Sequence, residues 1–179
     1  FQDGSQKYIS LDFAYLKELS TIDMHLRYLI LKICLDIEHF LKVNLMGHIE
    51  NNPGEDGYNI TKMVFAKYKD IWPNIKKHRR SSYCRDLIEK NINKDVPIWV
   101  LLELISFGNL VHLFKLYNDT YKNSFRKYQL LFNVRDLRNA AAHSNCLINQ
   151  LYKGGARPFG AIRQFAKDNS NFGNTMINT

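Results

Sequence analysis

Ile22-Asp-Met-His-Leu-Arg-Tyr-Leu-Ile-Leu-Lys-Ile-Cys-Leu-Asp-Ile-Glu-His-Phe-Leu-Lys-Val-Asn-Leu-Met46 decides the fold class. Leu26, Leu29, Ile30, Ile33, Ile37, Phe40, Leu41 and Leu45 recur at steps of three and four, the period of one helical face. Ser20, three residues before Asp23, reads as a capping box and predicts a helix start near Ile22. Asn51-Asn-Pro-Gly54 supplies the break after it.

Outward from that segment the same period continues. Helices are predicted over residues 60–72, stopped by Pro73, and over residues 81–90. Pro97 suits the first turn of another, through residue 106. A bend at Gly108 precedes an apolar stretch over 110–117, and a short helix is expected near Ser124. A long helix over residues 130–144 and a short one over 161–167 complete the reading. Alternating β-branched runs are missing, so the expected fold is all-α, a helical bundle. Residues 1–149 form the expected helical domain, and residues 150–179 a basic, glycine-containing C-terminal extension.

Composition narrows the function classes. Of 179 residues, 45% are hydrophobic and 13% aromatic, enough for one packed domain and against a disordered chain. A formal net charge of +8 favours a polyanionic partner, RNA above all. No apolar run approaches the roughly 20 residues of a membrane span. Over residues 26–46 the apolar pattern is interrupted by Arg27, Lys32, Asp36, Glu38, His39 and Lys42. Cys34, Cys84 and Cys146 include no close pair, which argues against a disulfide framework or a zinc site and fits a reducing cytoplasm. Cys34, amid apolar helix, is a core candidate. His25, His39, His48 and His112 show no ligand spacing with carboxylates, so neither metal nor cofactor is expected.

One stretch carries chemistry. Val134-Arg-Asp-Leu-Arg-Asn-Ala-Ala-Ala-His143 places Asn139 and His143 four apart on one helical face, with Arg135 a turn earlier. Arg138 stands about 140° round the axis from His143, but its long stem can swing toward the same spot. A permanently charged fork beside a histidine and an amide suits phosphodiester chemistry: Arg138 holds phosphate, His143 moves a proton and Asn139 orients either. The same spacing also suits a plain helix C-terminus, where a histidine meets the negative end of the dipole.

Three blocks in order turn that motif into a resemblance. Residues 11–23 with Leu26-Arg27 and Ile37-Glu38 resemble the opening of the Abi-like (abortive infection) family. Pro97-Ile-Trp99, Glu103-Leu-Ile-Ser-Phe-Gly108 and Leu110 resemble its middle, and Arg138-Asn139, Ala142-His143 and Asn149 its closing motif. The family is similar to the HEPN nucleases, all-helical RNases with an Arg-(Asn/Asp/His)-x-x-x-His signature. The resemblance implies a HEPN-type bundle with Arg138, Asn139 and His143 as the catalytic set, and a two-fold homodimer sharing one composite site. Where the family carries a second histidine, a basic residue and an aromatic, this chain has Ser144, Cys146 and Ile148. The resemblance further implies an N-terminal region ahead of Phe1.

Further candidates surround the motif. Lys76, Lys77, Arg79 and Arg80 form a compact basic cluster that either grips RNA phosphates or is a solvated loop. Lys153, Arg157 and Arg163 lie beyond the motif, within reach of a backbone phosphate, and Arg135 joins them as an RNA contact. Tyr117, Tyr121 and Tyr128 could stack bases, although aromatics at helical spacing are more often core. Asp23, Arg27 and Glu38 match the family's first helix. They would orient the site, with Glu38 paired to Arg138 or Arg135 as one arrangement and a purely structural ion network as the plainer one.

The expected function is a metal-independent endoribonuclease of phage defence or toxin–antitoxin type, leaving 2′,3′-cyclic phosphate ends. The alternative is a non-catalytic module that holds a small structured RNA.

Overall fold

The computed structural model describes residues 13–121, 128–148 and 160–169. Among these residues there are eight α-helices, one 3-10 turn and no strand: the all-α class holds. The chain divides into two compact units, Phe1–Leu31 with Leu137–Thr179 (the terminal unit) and Lys32–Asp136 (the central unit).

α1 (Phe13–Glu50) is longer than its apolar period suggests at both ends. Ser20 and Asp23 lie inside it, so they do not cap it. Asp23 is buried, and its carboxylate serves a tertiary role instead.

In the central unit, the last turns of α1 lay Leu41, Leu45 and Ile49 against Ile60 and Val64 of α2 (Asn59–Lys67). Ile98, Leu101 and Leu102 of α5 (Ile98–Leu104) join that core, as do Leu110, Val111, Leu113 and Phe114 of α6 (Phe107–Tyr121). Tyr117 is buried here too, its ring 4.8 Å from Tyr121, so this pair builds core and is not a stacking platform. Tyr121 donates its hydroxyl to Glu55. Burial and that carboxylate push its pKa up to about 12. Cys34 is buried, as expected of a core thiol.

Pro73 does not stop a helix. It sits in the first turn of α3 (Ile71–Lys77), where the amide it lacks would have had no partner. The break comes earlier, at Tyr68–Asp70, after α2. α4 covers Arg85–Asn91, and Pro97 caps α5 in extended conformation. The bend expected at Gly108 falls three residues before it, where extended Ile105 ends α5, and Gly108 lies inside α6. Gly57 has φ +80°, and a Cβ there would stand 3.0 Å from the Trp99 ring, so both backbone and packing demand glycine. The short helix expected near Ser124 lies outside the described residues.

In the terminal unit, α7 (Leu130–Ala142) supplies its last turn and α8 (Gly160–Asn169) follows. Among the described residues no helix is long and apolar enough to cross a membrane.

Candidate functional site

The motif residues sit where α7 ends. His143 donates its amide to the Asn139 carbonyl at 2.9 Å, so it keeps helical register with Asn139. Ser144 then turns the chain left-handed, with φ +57°. Its amide reaches the Ala141 carbonyl at 3.2 Å, and the Asn145 amide reaches the Ala140 carbonyl at 3.0 Å. This pair of bonds is a Schellman ending, usually made with glycine at the left-handed position. Serine occupies it here, at a cost, and no composition signal announces it.

Beyond the turn, α1 takes hold of the chain. Asp23 Oδ1 accepts the amides of Leu147 at 2.6 Å and Ile148 at 3.2 Å. Its other oxygen pairs with Arg27 Nε at 3.0 Å. Both side chains are largely shielded from solvent, and the carboxylate has a charged partner and two amide donors. Asp23 and Arg27 thus fix the segment that follows His143.

At the site itself, Arg138 Nη1 donates to Asn139 Oδ1 at 3.3 Å. The amide meets the guanidinium, and neither Arg138 nor His143 has a carboxylate partner among the described residues. Arg138 is half-buried and His143 exposed. A cationic fork held by an amide, one turn before an open imidazole, can receive a phosphate from solvent.

The other candidates fall differently. Glu38 pairs with Lys42 at 3.0 Å, one turn along α1. A pair at i,i+4 within one helix is a local contact of the ordinary kind. Arg135, in the central unit, binds Asp136 at 2.7 Å and lies over the Phe132 ring at 5.2 Å. Lys76 and Lys77 end α3, and Arg79 and Arg80 open the 3-10 turn Arg79–Ser81. Arg79 folds back to donate to the Lys76 carbonyl at 3.3 Å, leaving Lys77 and Arg80 exposed. Arg163 lies on α8 with its Nε buried and without a hydrogen-bond partner among the described residues. Lys153 and Arg157 lie outside the described residues.

No group of three or more His, Cys, Asp or Glu that could hold a metal ion occurs among the described residues. The sequence did not mark out His112, which borders a cleft in the central unit with Tyr68, Asn74 and Asn109. Only the Asn109-x-x-His112 spacing on α6 could have hinted at it.

Neither the curated proteins nor the solved structures yielded a match to this chain. The sequence model of one family, described as Abi-like protein, matches residues 1–149. That span takes in α1 to α7, the Asp23 clamp and the Arg138–His143 motif, and the chain belongs to the Abi-like protein family.

Proposed function

We propose that this chain is an RNA-cleaving component of phage defence by abortive infection or of a toxin–antitoxin pair, working without metal. Membership of the Abi-like family supports the defence setting. The observation that carries the chemistry is the shared end of α7, where the amide-held Arg138 fork precedes the exposed His143.

In this reading the RNA's 2′-hydroxyl attacks the adjacent phosphorus as a base removes its proton. The P–O5′ bond breaks, and an acid protonates the departing 5′-oxygen, which leaves a 2′,3′-cyclic phosphate and a 5′-hydroxyl. His143 fills one of these roles, since an imidazole nitrogen can either take up a proton or give one up. Arg138 balances the charge that grows on the phosphorane. Asn139 aims the guanidinium, to which it is already bonded.

A second proton carrier is needed, and a second copy provides it. In a closed two-fold pair, each chain brings a His143 and an Arg138 to one phosphate. A row on the terminal unit's stretch of α1 supports such pairing. Tyr15, Leu19, Ile22 and Leu29 are exposed and, with half-buried Leu26, recur at steps of four and three, the spacing of helix-to-helix seams.

One observation favours the second reading, in which the protein grips a structured RNA without cutting it. The imidazole of His143 has no partner among the described residues to fix its tautomer. A single-stranded RNA assay in EDTA separates the two. Cleavage to cyclic phosphate ends by the parent chain and its loss in His143→Ala are expected. Undiminished cleavage by that variant defeats the nuclease assignment, and tight RNA binding with no cleavage by either chain selects the gripping module.

A further inference from the structure

The central unit contains a ladder of rings edged by cations. The Tyr68 ring centroid lies 5.2 Å from that of His112, and His112 lies 5.5 Å from Phe132. Lys67 Nζ sits 5.7 Å over the outer ring, Tyr68, and the Arg135 guanidinium 5.2 Å over the other, Phe132. Beside the Tyr68–His112 step opens a cleft of about 430 Å³.

We propose that this cleft binds one nucleotide unit, its base edge read by Asn74 and Asn109 beside Tyr68 and His112, and its phosphate held by Lys67 and Lys69. The volume falls within the roughly 300–1,000 Å³ of small-molecule sites. Neither asparagine side chain has a hydrogen-bond partner among the described residues, although both line the cleft. Each amide offers donors and an acceptor together, which a base edge can match. A bare phosphate would use only the donors.

The charge pattern agrees. Lys67 and Lys69 stand in the cleft without an ion-pair partner among the described residues, opposed by Asp70 alone in its lining. Burial first, then the charges of Arg135, Lys115 and Lys67, lower the His112 pKa, so the ring is neutral near pH 7 and both donates and accepts. The nucleotide is either free in solution or one residue of a single-stranded RNA, since a duplex hides base faces and edges. This site lies within the central unit and does not require His143 to cut anything.

Calorimetry on the His143→Ala chain, chosen so that no RNA is consumed, tests it. The probes are the four nucleoside monophosphates, inorganic phosphate and a single-stranded oligoribonucleotide. At least one monophosphate or the oligonucleotide should bind one-to-one, with inorganic phosphate about tenfold weaker or more. Asn74→Ala and Asn109→Ala, with melting temperatures unchanged, should each weaken that binding about fivefold or more. Binding of monophosphates identifies the free ligand, and binding of the oligonucleotide alone identifies RNA. The proposal is overturned if neither nucleotide form binds, if phosphate binds as tightly as they do, or if both asparagine variants bind like the parent.

Discussion

The carboxylate of Asp23 accepts the amide of Leu147 at 2.6 Å across 124 positions of sequence. With the Ile148 amide and Arg27 completing its shell, one buried oxygen pair fixes the chain just beyond His143. Asp23→Ala removes an acceptor from two amides and the counter-charge of Arg27. A loss of about 3 kcal/mol is expected in denaturant unfolding. Asp23→Asn keeps one acceptor oxygen and should lose less. Equal, small effects of both would show that the clamp contributes little.

Ser144 holds φ +57° without glycine's freedom. Ser144→Gly should therefore stabilise the chain, by about 1 kcal/mol, with the Schellman bonds intact. Thermal unfolding measures this, and a lower melting temperature would contradict the strain.

The His112 ring has its pKa lowered from the ordinary 6.5, chiefly by burial and then by Arg135, Lys115 and Lys67. The unfolded chain therefore binds a proton at higher pH than the folded one. The stability that the neutral ring brings is complete above about pH 6.5 and is lost as pH falls toward the folded value. His112→Phe keeps a ring between Tyr68 and Phe132 and should flatten this part of the stability profile. A slope below pH 6.5 identical to the parent's would place the effect elsewhere.

Arg138 meets Asn139 through a planar guanidinium. In the proposed reaction Arg138→Lys keeps the charge and loses the fork, so RNA cleavage should drop at least about tenfold while RNA binding changes little. Near-parental rates would mean that only a positive field is needed.

Among the basic cluster, Lys77 and Arg80 are the exposed members. If they neutralise RNA phosphates, changing both to Gln should lower the slope of log affinity against log salt by about 0.7 for each phosphate left without its cation. Lys76→Gln should do less, because Lys76 is half-buried and its carbonyl receives the folded-back Arg79. An unchanged slope in the double variant identifies a solvated turn.

Periodicity made the helices legible because burial of one face repeats every turn, as Leu41 and Leu45 show. Boundaries were less so. Ser20 with Asp23 imitated a cap inside α1, because the same two residue types serve caps and tertiary clamps. Pro73 misled for a related reason: a proline reads alike whether it ends one helix or begins the next. The order Arg138, Asn139, His143 was readable, but the partner of Asn139 was not, since an amide's choice between neighbours depends on side-chain geometry. The His112 cleft gathers residues from α2, α3, α6 and the turn between the first two, and long-range convergence leaves no local pattern.

The Asp23 clamp also sets a schedule. A bond between residue 23 and residues 147 and 148 cannot form on a nascent chain until the ribosome has made, and its tunnel has released, everything between them. Partial translation products, however well their first helix forms, never secure the segment after His143. Under the proposed function, the stretch beside the candidate histidine is thus among the last parts of this fold to be fastened.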